Sequence, residues 1–118
     1  MPFSKKEDPL PNMSRFNNDK TRVESGNKLT IEDWEILTNG WSTIYVGIAQ
    51  NALNYNSIRR GQIAEEYKRE AKSKKLDEEA TDLIVDIYRL NDHALQQLVA
   101  ALVNNQRAGK LVEPPKKR

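Results

Sequence analysis

No cysteine occurs anywhere in the 118 residues, which excludes disulfide staples, thiolate metal sites and cysteine nucleophiles together. Histidine occurs once, at His93, so zinc sites and most general acid–base machinery are not expected, and no cofactor is. Residues 1–29 hold no apolar stretch that would serve as a signal-peptide core. Position 2 is proline, and no cysteine is present to carry a lipid. The expected location is therefore cytoplasmic or within a particle, not secreted. Proline is missing from the whole stretch between Pro11 and Pro114, which leaves a long middle open to helix formation.

What is present suits one small domain. Hydrophobic residues make up 37% of the chain and charged residues 31%, enough for a modest core under a polar surface. The charge is zoned. Residues 1–29 carry six basic and four acidic side chains, residues 30–106 eight and twelve, and residues 107–118 five and one. The net charge of +2 is thus two basic ends around an acidic middle. Residues 1–29, with Pro2, Pro9, Pro11 and Gly26, read as an extended N-terminal arm, and residues 108–118 as a basic C-terminal tail.

Helix signals fill the middle. Thr30 and Asp33 have the spacing of a capping box, and Leu29 and Trp34 that of a hydrophobic staple. Trp34, Trp41, Ile48 and Tyr55 recur every seven residues, with Leu37, Ile44 and Ile58 at the complementary coiled-coil positions. Asn51 interrupts the second row, as a register-setting amide does. Gly40, Gly47 and Gly61 share a further seven-residue row, along which another helix has room to approach. This pattern predicts a first helix from 30 to about 74, in which residues 54–57 are left open as straight, kinked or a true break. Asp77, followed by Glu78 and Glu79, predicts a new start. A second helix then runs from 77 to about 107, ended by Gly109 and Pro114-Pro115. The predicted fold is all-α, a long antiparallel helical hairpin over 30–107 that a kink would turn into a three-helix arrangement.

Two stretches carry no charge: 36–58, which is 23 residues long, and 93–106. A turn near residue 75 brings 44–57 opposite 93–106, so the uncharged stretches meet at one end of the hairpin. Two helices alone cannot cover such wide apolar surfaces. The base is therefore expected to be covered by further copies or a larger partner. A membrane span fits the 23-residue length. Its amides Asn39, Gln50, Asn51, Asn54 and Asn56 would need partners in lipid, which argues for burial in protein and against a membrane.

Catalytic constellations are absent from the sequence. His93 beside Asp92 reads as a surface histidine, and Asp82 and Asp86 as a solvated acidic pair rather than a cation site. The expected function is that of a non-catalytic helical assembly or adaptor subunit, such as a component of a phage or virus-like particle. Its expected protein interface is Trp34, Trp41, Ile44, Ile48, Tyr55, Leu95, Leu98 and Leu102. The alternative is an oligomeric nucleic-acid-binding accessory protein, contacting phosphates through Lys110, Lys116, Lys117 and Arg118. Arg59-Arg60, Lys68-Arg69, Lys72 and Lys74-Lys75 are weaker phosphate candidates, because Glu65, Glu66 and Glu70 are interleaved with them.

Overall fold

The computed structural model describes residues 29–114, and these form five α-helices without a β-strand among them. Helix α1 spans Ile31–Thr38, α2 Ile44–Ala52, α3 Ser57–Lys74, α4 Glu78–Tyr88 and α5 Asp92–Arg107. The fold is all-helical. It is not two continuous rods: a helix over 30–74 would be about 67 Å long, whereas the longest dimension here is 36 Å. The N-terminal arm, apart from Leu29, lies outside the described residues.

Four of the five starts, all but that of α2, have an N-cap side chain that satisfies a backbone N–H group a helix leaves open. Thr30 Oγ1 accepts from the Asp33 backbone N–H at 3.1 Å, and Asp33 Oδ2 accepts from the Thr30 N–H at 3.0 Å, which is the capping box. Leu29 and Trp34 are both buried in the core beside it. Asn56 caps α3 through Arg59 N–H, Asp77 caps α4 through Ala80 N–H, and Asn91 caps α5 through Ala94 N–H.

The departures from the hairpin have local causes. Thr38, Asn39, Gly40 and Trp41 form a type II turn, with Asn39 at φ −60°, ψ 124°, Gly40 at φ 89°, and the Trp41 N–H on the Thr38 carbonyl at 2.9 Å. That turn ends α1. At the second break Asn56 turns its side chain to the backbone, and Asn91 does the same between α4 and α5. Short amides compete with the helical hydrogen bonds in this way and favour caps over helix interiors. Between Ala52 and Ser57, where the sequence leaves a straight, kinked or broken helix open, the chain breaks, and two further breaks accompany it.

Helix α3 closes with Lys75 in the left-handed region at φ 59°. The Leu76 N–H then reaches the Ala71 carbonyl at 2.9 Å and the Lys75 N–H the Lys72 carbonyl at 3.2 Å, a Schellman closure. Helices α3 and α4, on either side of this turn, pack on each other. Helix α2 packs on α4 and α5, and α1 on α5. Segments 44–52 and 92–107 thus meet, and α1 folds back as an additional layer. Trp34, Trp41, Leu83, Ile87, Leu95, Leu98 and Leu102 are fully enclosed between these helices. Trp41 stands edge-on to Tyr45, with ring centroids 5.6 Å apart.

The chain then returns to the α1–α2 connection. Gly109 at φ 72° closes α5, with the Lys110 N–H on the Asn105 carbonyl at 2.9 Å. Val112 bridges the segment 41–43: its N–H donates to the Trp41 carbonyl and its carbonyl accepts from the Thr43 N–H, each at 2.8 Å. Residues 110–112 are accordingly fastened to the body and are not part of a free tail.

Candidate interaction surface

The predicted interface residues divide between core and surface. Trp34, Trp41, Leu95, Leu98 and Leu102 are wholly buried within one chain, so they are not a face that a single copy presents. Their burial follows from α1, which folds back onto α5 and closes the seam from inside. Ile48 is half-buried against the same core. Ile44 and Tyr55 remain exposed.

The two uncharged stretches consequently have different fates. In 93–106 the apolar set Ala94, Leu95, Leu98, Ala101 and Leu102 is consumed by packing against α1 and α2. In 36–58 a second set stays outside. Ile36, Ile44, Leu53, Tyr55 and Ile58 all belong to this stretch and are exposed, Ile36 at 59% and Ile58 at 76%. Only Ile31 and Leu76 join them among the exposed large hydrophobics of the described residues. The amides Asn39, Gln50, Asn51, Asn54 and Asn56 of the same stretch are exposed as well. Asn51 sets no coiled-coil register; its Nδ2 donates to the Tyr88 hydroxyl at 2.9 Å, linking α2 to α4.

The outer face of α3 continues this surface. Ile58, Gly61, Gln62, Glu65, Glu66 and Arg69 line a shallow hollow of about 450 Å³. Gly61 supplies its floor, and a Cβ built there meets no atom within 4 Å. Arg59 lies along the side, within 3.1 Å of Gln62 Oε1 and 3.4 Å of Glu66 Oε2. The row of glycines read from the sequence is not one stripe: Gly40 serves the type II turn, while Gly47 and Gly61 stand on different helices with open space above them.

Beyond it, at the α3–α4 turn, a cleft of about 340 Å³ lies between Lys68, Lys72 and Lys75 on one wall and Glu78 and Asp82 on the other. Carboxylates facing the lysines make this a poor seat for a run of phosphates. Arg60 is also removed from that reading, because it is 1% exposed. Its guanidinium donates to the carbonyls of Tyr55 at 2.6 Å and Leu90 at 3.1 Å, and pairs with Asp92 Oδ1 at 2.6 Å. It thus ties the α2–α3 turn to the α4–α5 turn. Nothing in the residue pattern distinguishes it from its neighbour Arg59; only the surrounding carbonyls do. Of the four tail cations, Lys110 is exposed and Lys116, Lys117 and Arg118 lie outside the described residues.

The remaining chemical candidates are dispersed. His93 is exposed in the first turn of α5, and Asp82 is exposed while Asp86, four residues on, is buried. Among the described residues no three His, Cys, Asp or Glu side chains come together to hold a metal. Burial raises the Tyr45 hydroxyl above its ordinary pKa, with the Asp77 carboxylate and Tyr67 adding to the effect. That places a neutral phenol beside Trp41. Among the described residues no helix is long and apolar enough to cross a membrane. Comparison of the chain with family models, with curated proteins and with solved structures yields no match.

Proposed function

We propose that this protein is a non-catalytic helical assembly subunit, whose activity is to bind other protein, copies of itself first, through the surface of residues 36–58. One observation carries the reading: five exposed large hydrophobic side chains fall in a stretch with no charge to solvate it. Exposed apolar side chains in an uncharged stretch suit burial against protein better than contact with water. The opposed charges at the α3–α4 turn supply no comparable focus for a polyanion.

Absolute mass from light scattering after size exclusion tests this on nuclease-treated, full-length protein. A discrete oligomer is expected, and Ile36→Asp with Ile44→Asp should lower its mass while leaving helicity intact, since both side chains are exposed. A single-chain mass at all concentrations would sink self-association. An oligomer that survives only without nuclease would favour the nucleic-acid reading instead.

A further inference from the structure

Asn39-Gly40 is the only Asn-Gly pair in the chain, and it occupies the two central positions of the turn between α1 and α2. Such a pair carries its own electrophile and nucleophile. The side-chain carbonyl carbon of the asparagine lies within reach of the next backbone nitrogen, and glycine has no side chain to block the approach. Asn51, Asn54, Asn56, Asn91, Asn104 and Asn105, the other asparagines among the described residues, each commit their side chain to a hydrogen bond. Asn39 is exposed and makes no such bond among the described residues.

The closed turn holds the two reacting groups apart. At ψ 124° the Gly40 nitrogen is turned away from the Asn39 Cβ. A five-membered ring closes only near a ψ of opposite sign, as at the first central position of the mirror-image type II′ turn, where that nitrogen and Cβ eclipse. Reaching it requires the Asn39–Gly40 peptide plane to turn over, and the surrounding hydrogen bonds resist this. The Trp41 N–H donates to the Thr38 carbonyl at 2.9 Å, and Val112 holds the Trp41 carbonyl and the Thr43 N–H at 2.8 Å each.

We infer that Asn39 is a fold-gated deamidation site, slow while the α1–α2 turn is closed and fast once it opens. In the opened chain the Gly40 nitrogen bonds to Asn39 Cγ and the Cγ–Nδ2 bond breaks. The Gly40 amide proton leaves with Nδ2 as ammonia. Water then opens the resulting succinimide at either carbonyl, giving aspartate or isoaspartate. Both products put a carboxylate into the uncharged stretch 36–58. Isoaspartate also adds a carbon to the main chain, so the turn from Thr38 to Trp41 no longer closes in register. A chain that has opened and reacted in this way does not recover the same closure.

Peptide mapping of the full-length chain, held in mildly alkaline buffer with and without urea, tests both the site and the gate. In urea Asn39 is expected to convert ahead of every other asparagine. In the folded chain it should convert at least about tenfold more slowly, because only the opened fraction reacts. Equal rates in the two conditions would overturn the gate, and another asparagine reacting first in urea would overturn the site. Val112→Pro removes the N–H that donates to the Trp41 carbonyl, at a position outside every helix, so helicity should be unchanged. It is expected to hasten conversion of the folded chain at least about twofold. A rate equal to that of the parent would overturn Val112 as part of the bar.

Discussion

At the scale of single residues, the polar groups inside this protein act as ties between elements. Asn105 is 2% exposed and its Nδ2 donates to Thr38 Oγ1 at 2.8 Å and to the Glu35 carbonyl at 3.3 Å. Thr38 in turn donates to the Trp34 carbonyl at 2.8 Å. The short network fixes the end of α1 on α5. Asn105→Ala would leave the Thr38 hydroxyl with one partner fewer in a dry site, so it should cost about 1–3 kcal/mol. Urea unfolding followed by far-ultraviolet dichroism measures this, and a change within error would show that water replaces the amide. Neither Asn105 nor Arg60 was legible beforehand. Asn105 follows another asparagine, and Arg60 follows another arginine; residue type alone does not say which of each pair points inward. The partners that decide it are 67 and 30 residues away in sequence.

At the scale of elements, the starts at Thr30 and Asp77 were readable and those inside the two long stretches were not, because a seven-residue repeat is blind to a turn that preserves its phase. Trp34 and Trp41 are both core residues, exactly seven apart, yet the type II turn at Gly40 separates them. Thr30, Asp33 and Asp77 announced their helices through spacing that needs no tertiary partner. Asn56 and Asn91 cap α3 and α5 from inside the stretches 30–74 and 77–107, each expected as one helix. The glycines then give opposite predictions. Gly40→Ala forces a Cβ into a positive-φ position and should destabilise the fold by about 1 kcal/mol or more. Gly47→Ala, in an exposed helix interior with no atom within 4 Å of the new methyl, should stabilise it by about 0.5–1 kcal/mol. Thermal unfolding of the two single variants reads the sign directly. Equal effects would mean that the backbone at Gly40 relaxes to accommodate a side chain.

For the whole molecule, the all-helical class follows from the caps, the apolar spacing and the absence of proline between 11 and 114, and the closed core does not. A third layer, α1, was hidden inside what looked like one long helix, and it takes up the large side chains that a bare hairpin would have exposed. What remains outside is the smaller exposed set on 36–58, which the proposed self-association would cover. The C-terminal segment belongs to this same closure. Val112 exchanges two backbone hydrogen bonds with Trp41 and Thr43, and Leu111 packs against the core. A chain ending at Gly109 loses both hydrogen bonds and the Leu111 contact, and should be less stable by about 1–3 kcal/mol. A chain ending at Pro114 keeps them and should unfold like the full-length protein. Guanidinium unfolding of the two truncations separates the strap from the cations beyond it. Should the longer truncation prove neutral, the bridge to residues 41–43 contributes nothing measurable. If removing 115–118 alone changes oligomer mass or introduces a salt dependence, Lys116, Lys117 and Arg118 act in assembly through charge rather than through the fold.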